Sequence, residues 1–189
     1  MGRTMKVSLH LVPNHKQDSD TSALRRVAKG DVSALGEVYD RHAAALLRFA
    51  SRASSPHDAE DLVQATFVTV IKIAGTYDAR TDNARAWLHG ITARLIQERR
   101  RSVVRFARAL LRARTDPAPF VDRGGACQSD LERGLRTLSD AKRVVLVLAE
   151  VEGFTCDEIA SMLSVPVGTV WTRLHHARKD LRAFYEEGA

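Results

Sequence analysis

The amino-acid sequence predicts an all-α protein of two small helical domains joined by a flexible linker, the C-terminal domain containing a helix-turn-helix. Several segments repeat apolar residues at three- and four-residue steps, which is the period of an amphipathic helix. No segment alternates apolar and polar residues convincingly enough to indicate a strand. A stretch rich in proline, glycine and arginine divides the helical segments into two groups, and a length of 189 residues accommodates two small domains.

Composition and charge restrict the class of protein. The longest apolar runs are shorter than the roughly 18 residues that a membrane span requires, and the N-terminus lacks the apolar stretch of an export signal. We therefore expect a cytoplasmic protein without membrane insertion. The net charge of +6 favours a polyanionic partner, because neutralised phosphates release counterions, although many basic proteins never bind nucleic acid.

Residue types that carry enzyme or metal chemistry occur without the motifs that would support such a role. Cys127 and Cys156 do not form a CxxC pair, so neither a disulfide framework nor a zinc site is expected. His42, His57 and His89 could serve acid-base chemistry, but no HExxH, phosphate-binding glycine loop or nucleophile elbow accompanies them. We expect no enzyme, catalytic residue, metal or cofactor.

The N-terminal half begins with a polar segment and continues into two helices. Residues 1–21 are the predicted disordered tail, and residues 22–102 the predicted first domain. From Asp31 onward, the first helix carries an apolar stripe of Leu35, Val38, Tyr39, His42, Leu46 and Ala50. The second helix begins at Ser55-Pro56, because serine caps free amides and proline suits the first helical position; its inward stripe is Leu62, Thr66, Val70 and Ile73.

A third helix follows a polar stretch and ends in a basic run. Leu88, Ile91 and Leu95 share one face of it, and Arg99 to Arg101 close it. Beyond it, residues 103–129 form the predicted linker, because two prolines and a Gly-Gly pair interrupt any long helix there.

The predicted second domain covers 130–187. Ser139 can cap an apolar helix that runs through Val151 and stops at Gly153. Thr155 and Glu158 then form a capping box, in which each side chain satisfies an amide of the other residue at a helix start.

The end of the chain has the pattern of a helix-turn-helix. The short helix after Thr155 places Ile159, Ala160 and Leu163 inside, Ser164 to Val167 turn the chain, and a longer helix starts near Gly168. Its predicted buried stripe is Val170, Leu174, Ala177 and Leu181. The opposite face holds side chains that can reach bases and phosphates, namely Thr169, Trp171, Thr172, Arg173, His175, His176, Arg178 and Lys179. A solvated face of an ordinary bundle helix is the alternative, and the preceding cap and turn favour DNA recognition.

Three segments of this half resemble the fourth conserved region of extracytoplasmic-function sigma factors of the sigma-70 family: 158–160, 165–170 and 172–175. In the first half, residues 58–64 look like the family's polymerase-binding helix and residues 87–101 like its promoter-opening helix. The resemblance covers about residues 22–101 and 130–185. It implies a non-enzymatic alternative sigma factor that binds core RNA polymerase, recognises upstream (minus-thirty-five) and downstream (minus-ten) promoter elements and assists DNA opening.

The resemblance also implies particular partners. The first domain of such factors binds a coiled coil of the largest polymerase subunit, and the second binds the flap of the second largest subunit. Carried over, Asp58, Asp61 and Gln64 become polymerase contacts, although Asp58 alone would be explained equally by its place at a helix start. An anti-sigma factor is expected to control the chain, as is usual in the family.

Promoter DNA is the other implied partner. The loop and helix from Tyr77 onward would hold the opened strand through a base pocket and phosphate-binding arginines. The candidates are Thr81, Asp82, Asn83, Arg85, Trp87, Arg94, Arg99, Arg100 and Arg101. Trp87 could equally pack in the core. Arg94 stands where the family usually has Asn, and Trp171 where it usually has a small or basic polar residue, so these two departures bear on the promoter sequence that is read.

A conventional helix-turn-helix regulator that binds DNA as a dimer is the alternative function. It would account for the C-terminal helices, but it leaves residues 22–101 without a role, since they show neither a phosphoacceptor-like α/β pattern nor a ligand-binding domain.

Overall fold

A computed structural model describes residues 15–80, 83–113 and 129–187. All regular structure in these ranges is helical, as the sequence predicts. The N-terminal half contains α1 (His15–Ala28), α2 (Ser33–Ala53), α3 (Ala59–Ile73) and α4 (Ala84–Ala113). The C-terminal half contains α5 (Asp130–Thr137), α6 (Asp140–Leu146), α7 (Cys156–Leu163) and α8 (Val167–Glu187). No helix in the described ranges is both long and apolar enough to cross a lipid bilayer.

Helix α2 organises the N-terminal half, because it packs against α1, α3 and α4. Its Val38, Leu46 and Phe49 are fully buried, and they face Val70 of α3 and Leu88 of α4 within one apolar core. The predicted inward stripes therefore form the core. Burial of each such side chain stabilises the fold by roughly 1.5 to 3 kcal/mol.

Two members of the predicted α2 stripe are placed differently from the others. Tyr39 is nearly half exposed, and its ring lies 4.8 Å from that of Phe67. His42 Nε2 lies 2.8 Å from a carboxylate oxygen of Asp20, which is buried and also pairs with Arg41. Asp20 of α1 thus contacts Arg41 and His42 of α2 through polar atoms.

The start of α3 and the stop after α6 follow their local sequence signals, whereas the predicted cap at the start of α6 does not form. The Ser55 hydroxyl accepts a hydrogen bond from the His57 amide, and Pro56 opens a short 3₁₀ turn that leads into α3. Helix α6 continues as a π-helical turn, Val147–Val151, and the chain leaves it at Gly153 with φ of +73°. Ser139 precedes α6, but its side chain makes no capping hydrogen bond.

Helix boundaries differ from the predicted domain boundaries at two places. Helix α1 begins at His15, inside the predicted tail of residues 1–21, because Asp20, Ala23 and Leu24 are buried against α2. Helix α4 continues through Ala113, inside the predicted linker of residues 103–129, since arginine, alanine and leucine favour helix and the first proline comes later. Residues 114–128 lie outside the described ranges. The division into two domains stays a prediction.

The two halves lie against each other, which the sequence did not indicate. Helix α4 packs along α7, and α2 contacts α5 and α6. Gly90 allows α4 and α7 to pack closely, because a Cβ on this residue would lie 3.3 Å from Cβ of Met162. The buried Arg143 of α6 donates a hydrogen bond of 2.9 Å to the carbonyl oxygen of Ser54 at the end of α2.

Candidate nucleic-acid interface

The helix-turn-helix is formed by α7, a tight turn and α8. The Thr155 amide donates to Glu158 Oε2 at 2.8 Å, while the Glu158 amide donates to the Thr155 hydroxyl at 3.3 Å, which confirms the capping box. Ser164 ends α7 in the left-handed conformation with φ of 53°. Pro166 then leads into α8, and its carbonyl oxygen accepts from the Thr169 amide. These local interactions fix where the second helix begins and which face it buries.

The buried stripe of α8 consists of Val170, Leu174 and Ala177, with Leu181 partly buried. The opposite face is open to solvent, and Trp171 is its most conspicuous member, being 60% exposed. The other predicted DNA contacts on this helix are exposed or half-buried as well: Thr169, Thr172, Arg173, His175, His176, Arg178 and Lys179. Arg178 forms an ion pair with Glu150 across the domain, so part of this face is already neutralised.

The predicted polymerase-binding edge lies along the exposed face of α3. Asp61 is 68% exposed, and Gln64 follows it on the same face. Arg99 of α4 pairs with Asp58 at 2.7 Å and approaches Asp61 at 3.6 Å. Asp58 is thus engaged within the chain, whereas Asp61 and Gln64 remain accessible.

Two exposed apolar side chains extend this edge, and the sequence reading missed them. Val68 and Ile71 are about half exposed and continue the helical spacing that begins at Asp61 and Gln64. The signal was present, because both residues lie off the inward stripe of α3. Exposed apolar residues next to polar ones are typical of a protein-binding surface.

The start of α4 carries the remaining candidates of the predicted DNA-opening element. The Asn83 side-chain oxygen accepts from the Ala86 amide at 2.7 Å and thereby caps the helix. The Trp87 ring lies 5.4 Å from that of Tyr77 and is partly buried, in line with the packing alternative. Arg94 is exposed, and its Nε donates to the Gly90 carbonyl. Thr81 and Asp82 lie outside the described residues.

Most of the predicted phosphate-binding arginines of α4 have acidic partners inside the chain. Arg85 pairs with Glu152 at 2.9 Å, and Arg100 pairs with Asp140 at 2.8 Å. Both acids belong to the C-terminal half, whereas the partners of Arg99 are Asp58, just before α3, and Asp61 in its first turn. Arg101 is exposed. Three of the five predicted arginines on α4 are therefore paired with carboxylates of the chain itself.

Glu152 is the centre of a polar cluster that sequence reasoning could not find, since its partners are distant along the chain. Arg85 Nη2 donates to the side-chain Oε2 of Glu152 at 2.9 Å and to the backbone carbonyl oxygen of Glu152 at 2.7 Å. The imidazole of His89 lies with Nε2 3.3 Å from the same carboxylate. His89 and then Arg85 lower the pKa of the Glu152 carboxyl below its ordinary value of 4.5, against the opposing effect of burial.

Acid is expected to weaken this cluster. Because the pKa of Glu152 is lower in the folded chain than in the unfolded one, its stabilisation is complete above pH 4.5 and is lost as the pH falls through the folded value. Denaturant unfolding of wild type and Glu152→Gln at a series of pH values measures this. The difference in unfolding free energy should be constant above about pH 4.5 and should shrink as the pH falls below that value. A difference that is constant down to pH 3 would contradict it.

Comparisons with known proteins cover both halves of the chain. The family model of sigma-70 region 2 matches residues 38–106, and that of sigma-70 region 4 matches residues 128–181. The ECF RNA polymerase sigma factor SigE of Mycolicibacterium smegmatis is 33% identical over 168 residues, covering 83% of this chain and 65% of the relative. SigL of Mycobacterium tuberculosis is 30% identical over 166 residues, covering 85% of this chain and 93% of the relative.

Solved structures show the same fold. CnrH, solved in complex with the cytosolic domain of CnrY, superposes with a TM-score of 0.63 at 27% identity, covering 91% of this chain and all of CnrH. RpoE of Bartonella quintana, solved with the anti-sigma factor NepR, also gives a TM-score of 0.63, at 23% identity, over 80% of this chain and 96% of RpoE. The matches to both conserved regions, and relatives at 30% identity or more, show that the chain belongs to the ECF family of sigma-70 RNA polymerase sigma factors.

Proposed function

We propose that the chain binds core RNA polymerase, directs it to a set of promoters and helps to open the DNA there. The observation that carries the proposal is the presence of two separate recognition faces on one small chain. One is the exposed face of α3, with acidic, amide and apolar side chains, and the other is the exposed face of α8. A dimeric regulator needs only the second face, and it leaves the match of residues 38–106 to sigma-70 region 2 unexplained.

The face of α3 is suited to a basic and partly apolar protein surface. Asp61 and Gln64 offer oxygen acceptors at one end of the face, and Val68 and Ile71 offer apolar contact at the other. We assign the coiled coil of the largest polymerase subunit to this face. Charges at the rim of such an interface set orientation and association rate, whereas the apolar centre supplies affinity.

Helix α4 would hold the opened DNA strand. Its exposed residues include Arg94 and Arg99 to Arg101, which can bind phosphates once they are released from acidic partners within the chain. Asn83 and Arg85 stand at the start of the helix and follow Thr81 and Asp82 in the sequence, and these four residues would surround an extruded base. For Trp87 the packing against Tyr77 accounts for one side of the ring, and the other side stays a candidate for stacking.

The C-terminal domain would read the upstream element and touch the flap of the second largest polymerase subunit. The first residues of a recognition helix contact base edges in the major groove. Thr169, Trp171, Thr172, Arg173 and His176 occupy the first turns of α8, while Arg178 and Lys179 are farther along, where phosphate contacts are the simpler role. His175 lies beside His176, with 5.5 Å between the ring centroids.

Control by an anti-sigma factor is the regulatory part of the proposal. CnrH, which shares 27% identity with this chain, was solved in complex with the cytosolic domain of CnrY. A partner of this kind would cover the polymerase-binding faces. The chain is proposed to work without enzymatic activity and in the cytoplasm, where its polymerase partner acts on the chromosome.

Changing Asp61 and Gln64 together to Ala is expected to weaken binding to core RNA polymerase. Both side chains are exposed, so the fold should keep its stability, since a pair as exposed as Asp61 with Arg99 contributes roughly 0 to 1 kcal/mol. Titration of core polymerase with labelled protein measures the affinity, and sequencing of transcripts made by the complex tests promoter selection. We expect about a tenfold loss of affinity, with the promoters selected unchanged.

Glu186→Ala is the matched control, because it removes an exposed carboxylate from α8. Its affinity for core polymerase should equal that of the wild type. Equal affinity in the double variant would show that α3 is not the polymerase-binding face. Failure of the wild-type chain to direct core polymerase to defined start sites would overturn the proposed function itself.

A further inference from the structure

The contact between α4 and the C-terminal half is built around one carboxylate. The Glu152 side chain is only 11% exposed, and Arg85 Nη2 lies 2.9 Å from its Oε2. The same guanidinium lies over the ring of Phe154, with Cζ 4.3 Å from the ring centroid. One arginine of the N-terminal half is thus held by a charge, a carbonyl oxygen and an aromatic face of the C-terminal half.

His89 fills the space behind this pair. It is 1% exposed, and its ring lies 5.2 Å from both Phe49 of α2 and Phe154. Its Nδ1 lies 2.8 Å from the Arg85 carbonyl oxygen, which can only accept, so a hydrogen on Nδ1 satisfies that contact. Nε2 then lies 3.3 Å from Oε2 of Glu152, and it can donate to this oxygen only when the ring carries both protons. Arg85 is therefore the side chain of α4 that holds the carboxylate by a hydrogen bond.

A second ion pair lies farther along the same helix. Arg100 reaches Asp140 in the first turn of α6, at 2.8 Å. Between the two ion pairs, Gly90 lets the backbone of α4 approach Met162 of α7. The acids Glu152 and Asp140 thus hold two arginines that the proposed function assigns to promoter DNA.

We propose that Glu152 and Asp140 form an intramolecular latch that closes the free chain by competing with promoter DNA for Arg85 and Arg100. The latch opens when the chain engages core polymerase and DNA. This inference rests on the proposed function, because it assigns Arg85 and Arg100 to DNA. A carboxylate and a phosphate cannot occupy the same guanidinium donors together, so closing the latch and binding DNA through these arginines exclude each other.

The exposure of the two arginines decides which acid matters more, because Glu152 and Asp140 are about equally buried, at 11% and 13% exposed. Arg100 is mostly exposed, and an exposed ion pair contributes little. Glu152 accepts a charge-assisted hydrogen bond from Arg85 Nη2, which also donates to the Glu152 carbonyl oxygen, and loss of the carboxylate is expected to shift the balance between closed and open chains by about tenfold. Glu152→Gln keeps the shape of the side chain and removes its charge.

A cysteine pair can report the closed state in the full-length chain. Cysteines at Gly90 and Met162, with Cys127 and Cys156 changed to Ser, would have Cβ atoms near 3.3 Å, close to the roughly 3.5 to 4.5 Å of a disulfide. The rate of disulfide formation should fall when Glu152→Gln is added, by up to about tenfold, because it follows the fraction of closed chains. Glu150→Gln is the control, since Glu150 pairs with Arg178 inside the C-terminal half, and it should leave the rate unchanged.

Transcription with core polymerase tests the consequence of closing. The oxidised pair variant should start promoter-specific transcripts at least tenfold less often than the same protein after reduction. Equal transcription before and after reduction would overturn the latch, as would an unchanged disulfide rate in Glu152→Gln. If the reduced variant and the wild type both fail to direct polymerase to defined promoters, the proposed function fails, and the assignment of these arginines to DNA falls with it.

Small-angle X-ray scattering provides the same comparison without added cysteines. The radius of gyration should rise in Glu152→Gln and stay at the wild-type value in Glu150→Gln. An identical radius in all three proteins would contradict the latch even if the cysteine variant does not fold.

Discussion

Replacing Arg99, Arg100 and Arg101 with Ala is expected to lower the affinity of the polymerase complex for opened promoter DNA by about a hundredfold or more. Each arginine that neutralises a phosphate of a single strand contributes about 0.7 to the slope of log affinity against log salt. Loss of three contacts should therefore reduce that slope by about 2. Binding of the complex to a fork-shaped promoter fragment, measured over a range of salt concentrations, gives both quantities.

The triple variant needs a control, because two of the three arginines also form ion pairs within the free chain. Arg99 pairs with Asp58 and Arg100 with Asp140, so the triple variant also loses contacts within the chain, and its unfolding free energy must be measured alongside. The matched control removes three exposed arginines from α1, α2 and α5, which are Arg25, Arg48 and Arg133. An equal drop of the salt slope in this control would indicate a general effect of net charge.

Local signals explain how much of the fold could be predicted. The capping box of Thr155 and Glu158 involves residues three positions apart, and the stripe of Val170, Leu174 and Ala177 needs only the helical period. Such features are determined by neighbouring residues, and for this reason the helix-turn-helix was predicted with its burial pattern. The same reasoning applied to α2 failed at Tyr39, because period alone does not say how far the covering helix extends.

Contacts between distant residues explain what could not be predicted. Arg85 and Glu152 are 67 positions apart, and the sequence around either residue does not indicate that the two make contact. The same holds for the pairing of Asp20 with His42, which extends α1 into the predicted tail. Helix ends were also uncertain, since the arginine-rich continuation of α4 carries no stop signal before the prolines.

The sequence predicted which side chains of the candidate site are exposed better than it predicted which of them are already paired within the chain. Asp61, Gln64 and Trp171 are exposed as expected from their helical positions. The engagement of Arg85 and Arg100 by acids of the other half was not foreseen, because each pair joins residues that are distant along the chain. A charge that sequence reasoning assigns to a partner can thus be paired with an acid of the chain itself.

Arg173→Ala is expected to reduce transcription from promoters that depend on the upstream element. Arg173 lies on the first turns of α8 and is half-buried beside the stripe of Val170 and Leu174. A guanidinium there can make paired hydrogen bonds to a base edge, and losing such a contact costs roughly 1 to 3 kcal/mol, or about a fivefold to 150-fold loss of affinity. Transcription from a library of promoters that vary at each upstream position measures the effect and its sequence dependence.

The two possible roles of Arg173 predict different patterns in that library. A lost base contact should relax the preference at one position and leave the others unchanged, whereas a lost phosphate contact should weaken all promoters alike and lower the salt slope by about 1. We expect the first pattern, because the N-terminal residues of a recognition helix lie nearest to base edges. Trp171→Lys is the companion change, and it should shift preference at a neighbouring position without altering affinity for core polymerase. If neither variant changes transcription from any promoter in the library, α8 does not read the upstream element, and its exposed face must serve another partner.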